Sequence, residues 1–247
     1  MQEKINQIKL KIIDPKKNKE IEQLIAHEVA FPDIELNDYD LNRKKTTIKQ
    51  AFTVIKDHGL EKYVNNLEWN KDGNITWQNE MLRKISDDIL KMIEIWKKTE
   101  DSELLKKIFI YIQLWGGNSG RNIFLRKNGG FQKNYTELVY KNACKMSINK
   151  EKDSLNEYIK LKYIGISFAS KHMFFWSNKS LPIFDKILSS ILFGRNPNIK
   201  YYNQYLDVLS KLGVEKNVNL SVIERSIFNW ADTVDGKNWI AIRSKTG

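Results

Sequence analysis

The chain has 247 residues, 41% of them hydrophobic and seven of them Trp, which is enough apolar mass to fold and excludes global disorder. Its 41 Lys and Arg outnumber its 30 Asp and Glu, and the formal charge of +11 favours a polyanionic partner. Part of that lysine is the coding bias also visible in abundant Asn and Ile, and charge alone does not separate DNA from RNA.

No run approaches the ~18 apolar residues of a membrane span. The N-terminus is charged from its third residue, so the expectation is no membrane partner and a cytoplasmic location. Cys144 stands alone, which rules out an internal disulfide and a four-cysteine iron–sulfur cluster.

In chain order, residues 5–13 alternate loosely and suit a short strand or an irregular lead-in. Residues 16–30 place Ile21, Leu24, Ile25 and Val29 at helical spacing and stop at Pro32. His27 has no second histidine at ligand spacing, so no metal is expected. Residues 33–42 form a loop, 46–58 and 60–69 form helices, and 70–74 turn the chain. A long helix over 77–97 follows, with Met81, Ile85, Ile89, Met92, Ile93 and Trp96 as one apolar stripe.

A buried helix over 104–115, started by Ser102 and Glu103, runs into the glycine-rich stretch 116–120. Neither a Walker loop nor a dinucleotide fingerprint fits it, because the Gly-Lys-Ser/Thr ending is absent and a helix precedes it. Residues 126–130 make a basic turn, and helices are expected over 134–146 and 154–161, joined by a charged connector. After the segment 161–192, residues 194–198 break the chain. Two more helices follow, 201–212 capped by Gly213 and 221–232 opened by Ser221 with Glu224 three residues on. Trp230 and Trp239 seal the domain, and the tail 243–247 frays.

The segment 161–192 organises the rest. It holds a short turn at 163–167, an apolar helix over 168–176, a polar loop closed by Pro182, and a second apolar helix with Asp185 in its first turn. Gly165 permits a tight turn, and the amides after it are the unpaired donors of a helix start, which suit a phosphate.

This order of parts resembles the helix-hairpin-helix DNA glycosylases, in which a Leu-Pro-Gly-Val-Gly hairpin is followed about one helix later by an aspartate. Leu181-Pro182-Ile183-Phe184-Asp185 is similar to the Pro-Ile-Leu-Asp of the adenine glycosylase branch, with Ile164 and Ser167 standing where the hairpin has proline and its second glycine. The tract from Gly165 through Lys171 and Phe174-Phe175-Trp176 is closer to a bacterial group with an 8-oxoguanine-glycosylase fold.

The resemblance implies one all-α domain over 1–247, with lobes at 1–110 and 111–247 and a site in the cleft between them. It implies a monomer that binds duplex DNA with a flipped base, needs no cofactor, and removes a damaged or modified base, in repair or in defence against foreign DNA. The alternative is a DNA-binding protein without chemistry that uses the same hairpin. An α-helical interaction protein whose charge is compositional is a third reading.

In such an enzyme Asp185 would stabilise the oxocarbenium-like transition state or position water; its other reading is an acid favoured by a helix dipole. Lys171 would be a phosphate contact, a surface lysine or a Schiff-base amine. Gly165 and Ser167 would hold the backbone. Asn118, Arg121 and Asn122 would either enter the duplex or belong to an ordinary glycine-rich connection. Phe174, Phe175, Trp176 and Phe184 would surround the acid, as core or as a surface on which a base stacks.

Overall fold

The computed structural model describes residues 46–48, 75–77, 79–116, 130–231, 237, 240 and 241. Among them the fold is helical, apart from one two-stranded ribbon. The expected elements at 5–13, 16–30, 33–42, 60–69 and 70–74, the tail, and Asn118, Arg121 and Asn122 lie outside the described residues.

The ribbon pairs β1 (Thr46–Ile48) with β2 (Ile75–Trp77), antiparallel, in the register Thr46 to Trp77, Thr47 to Thr76 and Ile48 to Ile75. This overturns the expected helix at its first three residues. Thr-Thr-Ile and Ile-Thr-Trp are β-branched and aromatic triplets that favour extended backbone once they find each other.

The chain divides into two compact units, Glu35–Ile183 and Met1–Ile34 with Phe184–Gly247. In the first, α1 (Asn79–Thr99) and α2 (Ser102–Trp115) pack as neighbours, followed by α3 (Phe131–Asn134), α4 (Glu137–Ile148), α5 (Ser154–Tyr158) and α6 (Ile166–Trp176). The stripe on α1 is core, with Ile85, Ile89, Ile93 and Trp96 buried. α2 starts at an Asp101 cap that accepts from the Leu104 amide.

The helix α6 packs against α1, α2, α4 and α5. Every side chain from Phe168 to Trp176 is buried, which is why Phe-Ala-Ser-Lys-His-Met-Phe-Phe-Trp shows no polar face. Trp176 meets Trp96 edge-on at 5.0 Å, and Trp115 meets Phe175 edge-on at 4.9 Å. Burying one such ring is worth about 2–3 kcal/mol.

The second unit holds α7 (Lys186–Phe193), α8 (Ile199–Lys216) and α9 (Leu220–Ala231), with α9 packed on both α7 and α8. Phe184 stacks on Tyr205 at 5.1 Å, and Phe193 on Tyr201 at 4.6 Å.

Two expected caps are corrected here. α8 runs through Gly213 and ends at Asn217, whose φ is 51°. Gly213 instead admits the returning chain, since a Cβ there would lie 2.9 Å from Leu220 Cδ2. Ser221 is buried inside α9, and its amide is taken by Asn219 Oδ1 at 3.0 Å, so Asn219 serves the role expected of Ser221.

Candidate functional site

The turn between α5 and α6 closes through Leu161 N–H to the Tyr158 carbonyl at 3.0 Å and Ile164 N–H to the Leu161 carbonyl at 3.1 Å. Its left-handed residue is Tyr163, at φ 69°. Gly165 is not the hinge expected of it. At φ −91° and ψ 171° its backbone is extended, and a Cβ there would meet nothing within 4 Å. The turn spends its positive φ two residues earlier, so glycine is not required at 165.

Gly165 is the N-cap of α6 and contributes no side-chain cap. Its carbonyl accepts the Phe168 and Ala169 amides at 3.0 and 2.9 Å. The Ile166 and Ser167 amides are the helix's first donors and have no partner within it, and Gly165 itself is exposed. With the helix dipole they make a local positive end. Lys160 and Lys162 are exposed on the approach to this turn.

Lys171 is one and a half turns into α6, yet only 5% exposed. It is therefore not the surface lysine of the sequence reading. Its Nζ donates to Ser167 Oγ at 3.0 Å and to the Ser167 carbonyl at 3.2 Å, and it lies 4.9 Å from the Phe168 ring centroid.

The same pair rests against Gly116, the residue that ends α2. A Cβ at 116 would fall 2.6 Å from Phe168 Cε1 and 3.0 Å from Lys171 Cδ. The opening glycine of the 116–120 stretch thus has a packing reason: it lets α2 close on the base of α6.

Asp185 is the N-cap of α7. Its Oδ1 accepts from the Ile187 amide at 2.9 Å and the Leu188 amide at 3.1 Å, and the side chain is half-buried. The division into units falls between Ile183 and Phe184, so Asp185 belongs to one unit and Gly165, Ser167 and Lys171 to the other. Phe174, Phe175, Trp176 and Phe184 are all fully or nearly fully buried, and each ring is held by other core rings. None of them offers a free face to a base in this structure.

Sequence reasoning passed over the polar network beneath the turn. His172, fully buried in α6, stacks on Phe109 at 4.9 Å and on Tyr158 at 5.5 Å. Its Nε2 lies 2.9 Å from Gln113 Nε2 and its Nδ1 lies 2.9 Å from the Tyr140 hydroxyl. With the Gln113 amide so oriented, Nε2 is the acceptor and Nδ1 carries the proton.

Tyr140 then accepts from His172 and from Trp176 Nε1, the latter at 2.9 Å, and lies near the Cys144 thiol. Tyr158 donates to the same sulfur at 3.6 Å and accepts from Ser147 Oγ at 3.2 Å. Burial first, then the charge of Lys171, push the His172 pKa down to about 3. The imidazole is a neutral strut joining α2, α4 and α6. The available signal was a lone His and a lone Gln inside otherwise apolar helices, where each must find a buried partner.

No group of three or more His, Cys, Asp or Glu side chains converges among the described residues, and no helix there is long and apolar enough to cross a membrane. Compared with protein-family models, curated proteins and solved structures, the chain matches none.

Proposed function

We propose that this chain is a DNA glycosylase-like enzyme that removes a damaged or modified base, of the 8-oxoguanine type or hypermodified, by cleaving its N-glycosidic bond. The observation that carries the reading is the exposed start of α6, where two backbone amides and the helix dipole point positive charge outward on a chain of net charge +11. A backbone phosphate is the ligand that such an end accepts.

Asp185 supplies the acid of the reading. Its cap bonds hold Oδ1 against two amides and do not use Oδ2, which in this reading is the oxygen that stabilises the positive charge developing on the sugar as the bond to the base breaks. Asp185→Asn keeps an oxygen for the cap and removes the charge, so it separates chemistry from folding. Duplexes carrying 8-oxoguanine, uracil or hypermodified bases are incubated with wild type and variant, and abasic sites are counted. Base release that Asp185→Asn abolishes supports the reading; no release from any duplex, or release indifferent to the variant, removes it.

The second reading, a DNA-binding protein without chemistry, is favoured by one observation: the cap fully accounts for an aspartate at 185. It predicts DNA affinity that falls steeply with salt and is unchanged in Asp185→Asn.

A further inference from the structure

A base-removing enzyme either stops at hydrolysis or carries on to cut the strand. Stopping means that water oxygen bonds to C1' as the bond to the base nitrogen breaks, and the base leaves with a proton. Cutting requires a protein amine: its lone pair adds to C1', water leaves, an iminium forms, a C2' proton is abstracted and the 3' phosphate departs. In this chain the amine that the sequence offers is Lys171.

Burial alone would favour the neutral amine. The surroundings act the other way. Lys171 Nζ donates to Ser167 Oγ at 3.0 Å and to the Ser167 carbonyl at 3.2 Å, and lies 4.9 Å from the Phe168 ring centroid, all contacts that favour the charged form. The stem lies against the Gly116 backbone, and only 5% of the residue is exposed. An amine held in these contacts on a buried stem does not present its lone pair to a sugar.

We infer that Lys171 is a fixed cation of the α6 amino end, held in place by Ser167 as a positioning residue, and that base removal by this chain ends in an uncleaved abasic strand. The inference rests on the glycosylase reading for its reaction. It places the protein ahead of a separate phosphodiester-cleaving reaction, which must consume the abasic product.

Two measurements test it, and neither needs the base to be identified. The first uses native protein and a trace of acetylating reagent, with each lysine quantified by mass spectrometry. Lys171 is expected to react about ten-fold or more slowly than the exposed Lys162 and Lys186. Ser167→Ala should raise its rate and Ser167→Thr should restore it, whereas simple burial would leave Lys171 equally slow in all three. Lys171 reacting as fast as Lys186 in wild type, or indifference to Ser167→Ala, overturns the inference.

The second uses a duplex in which the abasic site already exists, treated with borohydride. No covalent adduct and no strand cleavage above buffer are expected. An adduct mapped to Lys171 overturns the inference while leaving base release intact. Failure of base release on every duplex removes the glycosylase reading and does not touch either lysine measurement.

Discussion

Acid should destabilise this protein through one imidazole. His172 is held neutral by burial among α2, α4 and α6, with its pKa lowered to about 3 from an ordinary 6.5. The unfolded chain takes up a proton as the pH falls through 6.5 and the folded chain does not, so acid favours unfolding. The stability that His172 confers is complete above 6.5 and is lost progressively as the pH falls toward 3. Each pH unit in that window costs about 1.4 kcal/mol, so lowering the pH from 6.5 to 4.5 removes about 2.7 kcal/mol, a large share of a typical folding free energy.

Glu100, exposed and held down to about 2 by Lys141 and Lys145, acts in the same direction, but only below its ordinary 4.5. The interval from 6.5 to 4.5 therefore isolates histidine. Urea unfolding at several pH values in this interval, on wild type and on His172→Gln, reads the effect, because His27 and His58 contribute equally to both. The variant is less stable at pH 7.5, and the gap should narrow by about 2–3 kcal/mol by pH 4.5. Parallel pH dependences in the two proteins would refute the neutral-strut argument.

The two glycines should behave oppositely. Gly165→Ala is expected to change stability by less than about 0.5 kcal/mol, because its backbone is extended and the space beside it is open. Gly116→Ala is expected to cost about 1–3 kcal/mol by driving a methyl into Phe168 and Lys171. Thermal melts of both variants check the pair, and equal losses would contradict it. Cys144 is fully buried and its thiol is pushed up by burial, so a disulfide reagent should give no early thiol signal at neutral pH until denaturant is added.

Which parts of this structure were readable follows from how many residues carried each signal. α6 was legible because nine successive residues lack a polar face, a pattern that only a surrounded helix satisfies. The α1 stripe was legible for the same reason in amphipathic form. The ribbon was not, because three-residue strands are too short to display a period of two, and Thr46–Ile48 depends for its state on Ile75–Trp77 far along the chain.

At the turn, the position in the chain was legible and the geometry was not. Gly165 marks the turn in sequence, while the backbone placed its left-handed residue at Tyr163, against that residue's own preference. Lys171 read as a phosphate contact, a surface lysine or a reacting amine, and its burial was not legible, because that depends on Gly116 and Ser167 and only folding brings Gly116 to it.

Asp185 is the position where the observed cap and the proposed acid are the same residue, and the chain carries its own control. Asp101 caps α2 and Asn198 caps α8 with the same kind of side-chain oxygen to amide bond that Asp185 makes at α7. Capping is therefore a general device here, worth about 1 kcal/mol per helix, and it does not mark a reacting carboxylate. The amide at Asn198 shows that a neutral side chain fills the role. A charge retained at 185 for folding alone would be as dispensable as one at 101, so Asp101→Asn and Asp185→Asn should have matching melts. If base release survives the first and vanishes in the second, the difference belongs to the negative charge at 185 and to the sugar cation it faces, since both variants preserve their caps.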